Sequence, residues 1–262
     1  MPQRMKSPTR REPRGKEDAG PIRLFGIHAV EAALANPARR ILTLHATENA
    51  ERRLQPAIAA RGIEPERNIP RHLDRLLGPD TVHQGVLLEV EPLPEPELAD
   101  LVARAATGLP ILVLDHVTDP HNVGAVLRSA AAFGAAGLVM TRRHSPPLNG
   151  TLAKSASGAL ELLPVLLVQN LANTLLELKS AGVTLLGLDS DAEALMEDEP
   201  FAGATALVIG AEGKGLRQLT RATCDRICRI ATDGPVASLN VSNAAAVALH
   251  LAAMRRRAAR RV

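Results

Sequence analysis

Aromatic side chains are nearly absent from this 262-residue chain: three Phe, no Tyr and no Trp, 1% in all. The core therefore has to be built from Leu, Val, Ile and Ala, and any nucleic-acid binding could not rest mainly on bases stacked on aromatic platforms. Cysteine is equally scarce. Cys224 and Cys228 alone cannot make a disulfide framework or a four-ligand zinc site, so two reduced thiols in apolar surroundings are expected. His116 and His121 stand five apart with no third ligand nearby, and no metal site is expected. No apolar run reaches the ~18 residues of a membrane span. The N-terminus is basic and proline-containing, without the apolar stretch of a secretory signal. The expectation is a soluble cytoplasmic protein that binds neither membrane nor metal.

What is present is a chain 46% hydrophobic, enough for a real core and too much for a wholly disordered protein. Its length suits one large domain or two ordinary ones. The formal charge is only +3 but is placed at the ends. Residues 1–20 carry six Lys or Arg, and Arg255, Arg256, Arg257, Arg260 and Arg261 close the chain. Two readings of the first segment stand: a solvated tail, or an arm that attracts phosphates and displaces their counterions.

Residues 21–91 read as a small α/β module. Ile27, Val30, Ala33 and Leu34 have helical spacing and are closed by Asn36-Pro37. The strand ILTLHA follows, then a helix near Arg52–Arg61, then a strand within Gln84–Glu91. Pro92, Pro94 and Pro96 among glutamates make 92–108 a stiff acidic linker, with a short helix near 97–106. From Leu109 the pattern alternates. Apolar runs ILVLD, GLVMT, PVLLV, VTLLGLD, ALVIG and RICRI are separated by helical segments, the last from about Ser242 to Arg257. Strands without polar alternation predict a mostly parallel sheet covered on both faces. Ligands on such sheets gather at the carboxyl ends of strands, which directs the search to the loops after ILVLD, ALVIG and RICRI.

The first loop, DHVTDPHN, leads into the helix VGAVLRSAAAFGA. Asn122 is placed to cap that helix. Arg128, in an otherwise small and apolar segment, is either a surface arginine or a cation aimed at a substrate phosphate or hydroxyl. Helical spacing alone does not put the two on one face. The second loop, Gly210 to Leu216, has three glycines but neither ordering of a phosphate loop; Glu212 there favours a cation or a hydroxyl over a phosphate. The third loop runs from Ile230 to Ser242, with Ser238, Asn240 and Ser242 polar at alternate positions before a helix. Capping accounts for such a pattern, and no His/Asp partners mark Ser238 as a hydrolase nucleophile.

Taken together, DPHNVGAVLRSAAAFGA, LVIGAEGKGL and SLNVSNAAAVAL resemble the three motifs of the SpoU class of RNA ribose methyltransferases, in the SPOUT superfamily. The segment LNGTLAKSASGALE, with Asn149, Lys154 and Gly158, is similar as well, and the resemblance spans about residues 110–257. FGIHAVEAAL and VHQGVLLEV resemble the substrate-binding module of the branch that methylates a guanosine ribose in bacterial large-subunit (23S) ribosomal RNA. One departure is Ile230-Ala231-Thr232 where the class has Ile-Pro-Met.

The resemblance implies an RNA-binding domain over 21–91, a catalytic domain over 109–262 with a C-terminal trefoil knot, and S-adenosylmethionine bound mostly by backbone groups around Gly210, Ile230 and Leu239. It also implies a homodimer that completes the site. The alanines of the last helix (Ala244, Ala245, Ala246, Ala248 and Ala252) suit close packing there or inside one chain. As implied catalytic residues, Arg128 would lower the pKa of the ribose 2′-hydroxyl and anchor a flanking phosphate, since arginine stays protonated. Asn122 would orient Arg128 or the ribose; Glu212 would bind a substrate hydroxyl or amine, or orient Arg128. Ser238 and Asn240 would complete the substrate side. Transfer-RNA ribose methylation, a different ribosomal nucleotide, or a non-catalytic RNA-binding role in ribosome assembly remain as alternatives.

Overall fold

The computed structural model describes residues 20–235 and 238–259; the rest of the expected basic arm over 1–20, together with Arg260 and Arg261, lies outside them. In chain order the first elements are β1 (Ile22–Phe25), α1 (Ile27–Ala35), β2 (Ile41–Ala46), α2 (Glu48–Arg61), β3 (Glu66–Arg67), α3 (Pro70–Leu77), β4 (Val86–Val90) and α4 (Leu98–Ala105). Then follow β5 (Ile111–Asp115), α5 (Pro120–Phe133), β6 (Gly137–Thr141), α6 (Gly150–Ser155), β7 (Val165–Val168), α7 (Leu171–Ser180) and β8 (Thr184–Leu188). Last are β9 (Ala194–Leu195), β10 (Thr205–Gly210), α8 (Gln218–Thr223), β11 (Arg226–Arg229) and α9 (Val241–Ala259).

Two sheets result. The first has the order β1-β4-β2-β3, antiparallel but for the β2/β3 pair. The second has the order β7-β6-β5-β10-β8-β11-β9, and every pairing in it is parallel. This is the covered parallel sheet expected from the apolar runs. In β5 the side-chain alternation is visible as two cores: Leu112 and Leu114 join one apolar cluster, Ile111 and Val113 the other. Helices α5, α6 and α9 cover the first face, α4 and α7 the second.

Local chemistry explains the boundaries. Helix α2 begins one turn earlier than expected, because Thr47 caps it by accepting from the Ala50 N–H and Glu48 and Glu51 occupy its first turn. Helix α5 corrects the capping expectation. Its cap is Asp119, which accepts from the His121 N–H at 2.9 Å, and Pro120 takes the first helical position. Asn122 therefore lies inside the first turn, with its side chain released for other contacts. Helix α6 is short, ending at Ser155, and a separate 3-10 turn follows at Ala159–Glu161. Between them Gly158 takes φ 88°, and a Cβ on it would approach the Ala32 methyl within 2.6 Å.

The two sheets share one apolar cluster, in which Leu24, Leu44 and Leu88 continue into Leu112 and Leu152. A buried ion pair joins them as well: Arg39 Nη2 meets Glu161 Oε1 at 2.6 Å, and Asn36 Nδ2 donates to Glu161 Oε2 at 2.9 Å. Lys154 donates to the Val82 carbonyl at 2.8 Å. Of the alanines on α9, Ala245, Ala248, Ala252 and Ala253 are buried within the single chain, where α9 packs on α5. That packing carries the C-terminal helix back beside the loop that precedes α5.

Candidate active site

A cleft of about 370 Å3 opens at the carboxyl ends of β8, β10 and β11, three neighbours in the parallel sheet. This is where open parallel sheets place ligands, and its volume falls in the small-molecule range. One wall is the end of β8, from Leu188 to Ser190; a second is Ile209 to Gly215; the third is formed by Cys228 to Ile230 and by Ser238 to Val241. Gly210, Ile230 and Leu239 all line it, as do Glu212, Ser238 and Asn240. The β8 contribution was not anticipated from the sequence, which pointed to the loop after ILVLD instead.

That first loop enters through a side chain. Asn240 Nδ2 lies 3.1 Å from Asn122 Oδ1 and 3.3 Å from Glu212 Oε2. Its own Oδ1 accepts from the Ser242 N–H (2.9 Å) and hydroxyl (2.6 Å) at the start of α9. Asn240 thus has a capping role and a site role at once. One residue from each of the three sequence motifs meets at this point. Arg128 does not: it is exposed on α5, does not line the cleft, and has no hydrogen bond or ion pair to a described residue. Six residues beyond Asn122, it sits about 9 Å further along the helix and well around it.

The glycine loop folds back on itself. The Gly215 N–H donates to the Ala211 carbonyl at 2.8 Å, and a Cβ on Gly210 would overlap the Gly215 carbonyl group. Close approach by the chain itself therefore accounts for Gly210, while Gly213 (φ 76°) has open space around it. The loop is anchored by a pair the sequence reading did not single out. The fully buried Asp115, at the end of β5, accepts from Arg217 Nε at 2.6 Å and from the Arg217 N–H at 3.1 Å. A charged residue closing a wholly buried apolar strand was the available signal.

The third wall is clamped similarly. Glu197 Oε1 accepts from the Ala231 N–H at 3.1 Å, and Arg255 of α9 donates to the Glu197 carbonyl at 2.6 Å. Both cysteines are free. Burial pushes the Cys224 thiol up to about 12 and the Cys228 thiol up to about 11, so both are protonated near neutrality. The cleft's charged lining is Asp189, Glu212 and Arg229. Asp189 already binds Arg221 and the Asp191 N–H.

Residues 110–250 match the SpoU rRNA Methylase family, and residues 23–96 match a module described as RNA 2′-O ribose methyltransferase substrate binding. The chain belongs to the SpoU rRNA methylase family. Among curated SpoU relatives, a 23S rRNA (guanosine-2′-O-)-methyltransferase of Ralstonia nicotianae is 43% identical over 89% of this chain and 95% of its own. The enzyme of that name from Pseudomonas putida is 38% identical over 91% and 98%. A solved SpoU methyltransferase, AviRb from Streptomyces viridochromogenes in complex with AdoMet, superposes with a TM-score of 0.75 at 26% identity, covering 91% of both chains. The three motifs that join Asn122, Glu212 and Asn240 all lie within the SpoU methylase match. Among the described residues no helix is long and apolar enough to cross a membrane.

Proposed function

We propose that the protein methylates the 2′-hydroxyl of a guanosine ribose in bacterial 23S ribosomal RNA, using S-adenosylmethionine. The observation that carries this reading is the meeting of Asn122, Glu212 and Asn240 at the mouth of a cleft lined by Gly210, Ile230 and Leu239. The donor set fits a methyl donor of this type. Leu188, Ile209, Ile230, Leu239 and Val241 give apolar walls for an adenine, and the strand-end and loop segments supply backbone groups. Glu212, at the mouth, offers a carboxylate to a cationic sulfonium. When bound, S-adenosylmethionine supplies an electrophilic methyl group.

The protein's own residues then have to bring a poor nucleophile into line and lower the cost of losing its proton. Asn240 and Glu212 orient the ribose, with Ser238 on the substrate side, and Asn122 holds Asn240 in place. Arg128 stabilises the developing alkoxide and anchors the neighbouring phosphate, and that phosphate or water takes the proton. Because Arg128 stands apart from the cleft of its own chain, it acts on the cleft of a partner in a homodimer. Residues 21–91 hold the RNA, 109–262 carry the chemistry, and the work is done in the cytoplasm, on RNA before or during assembly of the large subunit.

The trefoil threading belongs to the same reading. Glu197, just after β9, accepts from both the Ala231 N–H and the Arg255 guanidinium, which keeps the tail against the loop that the threading would have it pass through. A backbone trace from a crystal that pulls straight from both ends contradicts it.

The test is to map ribose methylation across ribosomal and transfer RNA in a strain lacking the gene. Loss of one 2′-O-methylguanosine in 23S RNA, restored by the wild-type gene and not by an Arg128→Ala gene, is expected. Loss confined to transfer RNA, or no loss, overturns the assignment.

A further inference from the structure

A second cleft, of about 410 Å3, lies on the other side of the 211–217 loop, beyond the carboxyl ends of β5, β6 and β7. Its polar lining is cationic or neutral. Arg143, Arg217, His116 and His144 face it along with Gln169 and Asn170, and no carboxylate lines it among the described residues. Leu171, Ala172 and Leu219 form an apolar floor, and Leu219 is 65% exposed.

Three features mark it as built rather than accidental. First, Arg217 is held from behind. Asp115 engages its Nε and its main-chain N–H, which leaves the terminal guanidinium nitrogens with no hydrogen bond to a described residue. A pre-oriented guanidinium loses less freedom on binding an anion. Second, His116 and His144 both take left-handed backbone conformations, with φ 60° and 65°. Such conformations are uncommon outside glycine and gather at functional positions. Third, those two residues bring their imidazoles to a centroid separation of 4.7 Å. Burial, and then the neighbouring Arg217, hold His116 below the usual histidine range.

We propose that this second cleft binds a phosphate-bearing nucleotide of the RNA beside the one that is methylated. The inference rests on the methyltransferase reading for the word "beside". Gly215 lines the first cleft and Arg217 the second, two residues apart, or about 7 Å of chain at most. A ribose at the mouth of the first cleft and a neighbouring nucleotide in the second can therefore belong to one strand. Arg143, Arg217 and the imidazoles contact the phosphate, and the Leu171–Leu219 floor takes the flat face of a base or sugar. A protein almost free of aromatics thereby holds RNA with cations and aliphatic surface.

The test uses the whole protein and an RNA fragment spanning the methylated position. Arg143→Ala and His144→Ala change exposed side chains. Each is expected to raise KM for RNA about tenfold with kcat changed less than about twofold. Arg143→Ala should also reduce the log–log salt slope of RNA binding by about one, and Arg143→Lys should restore most of the affinity. Unchanged RNA affinity and slope in both alanine variants overturn the proposal. As an independent measurement on the wild-type protein, imidazole NMR signals of His116 and His144 should shift on adding the RNA and stay in place with millimolar guanosine monophosphate or inorganic phosphate. Shifts with either free anion but not with RNA assign the cleft to a soluble ligand and overturn it too. RNA affinity is read by anisotropy without methyl transfer, so failure of the catalytic reading and failure of this one are separable.

Discussion

Asn240 donates from its amide to Asn122, 118 residues earlier in the chain, across 3.1 Å, and the same nitrogen faces Glu212 at 3.3 Å. Its Oδ1 is tied to the start of α9. The contact joins the C-terminal helix to the two loops on which the proposed chemistry depends, so geometry at the reacting centre is set by how the tail is folded back.

Replacing Asn240 by Ala removes the common partner of the other two and a cap of α9. Methyl transfer is expected to fall about 10²-fold, since small misplacements at a reacting centre cost that much. Affinity for S-adenosylmethionine, read by calorimetry, should change far less than kcat. Equal losses in both would assign Asn240 to donor binding alone.

Arg128 is proposed to serve the cleft of a partner chain. Arg128→Ala and Asn240→Ala are each expected to be nearly inactive. After the two are mixed and allowed to exchange subunits, half the dimers contain one intact site. Activity should recover to about a quarter of wild type. No recovery, with exchange verified by mass spectrometry, contradicts the shared site.

Glu161 and Arg39 are 2% and 3% exposed and bond at 2.6 Å across the two sheets. Glu161→Ala strands a buried guanidinium and should cost about 3–5 kcal/mol in urea unfolding. A paired Arg39→Met, Glu161→Leu variant should lie much closer to wild type. A Glu161→Ala loss under about 1 kcal/mol would mean that water reaches Arg39.

The thiols give a pH dependence with a definite sign. Both are raised in the folded state, to about 11 for Cys228 and about 12 for Cys224, against 9.0 in the unfolded chain. The unfolded state therefore releases protons first as pH rises. Their contribution is complete below pH 9 and is lost between there and the folded values. Thermal stability should decline over that window, less steeply in a Cys228→Ala variant. Alkylation at pH 8 should be slow in the native protein and fast in urea.

Much of the parallel sheet was legible because its strands are uninterrupted apolar runs such as Ile111–Leu114 and Ala206–Ile209, buried on both faces. Elements that bury little left no such trace. Helix α3 buries only Leu73 amid arginines, and β1 has four residues of which only Leu24 is buried. Asn122 was misplaced as a cap although Pro120 already fixed the helix start two residues earlier. The cleft residues Gly210, Ile230, Leu239 and Asn240 were found through the motif resemblance, since spacing alone allowed simple capping. Asp115, a charge closing the apolar run ILVLD, was a visible signal, but its partner Arg217, 102 residues on, and the second cleft, assembled from four separate loops, are products of the fold and have no local sequence pattern.

The most direct test is to incubate the purified protein with methyl-labelled S-adenosylmethionine and a 23S RNA transcript, then digest the RNA and identify the labelled nucleoside by mass spectrometry. A single 2′-O-methylguanosine, absent when transfer RNA replaces the transcript, is the predicted result. Label on a base, on transfer RNA only, or nowhere while the donor binds the protein, contradicts the account.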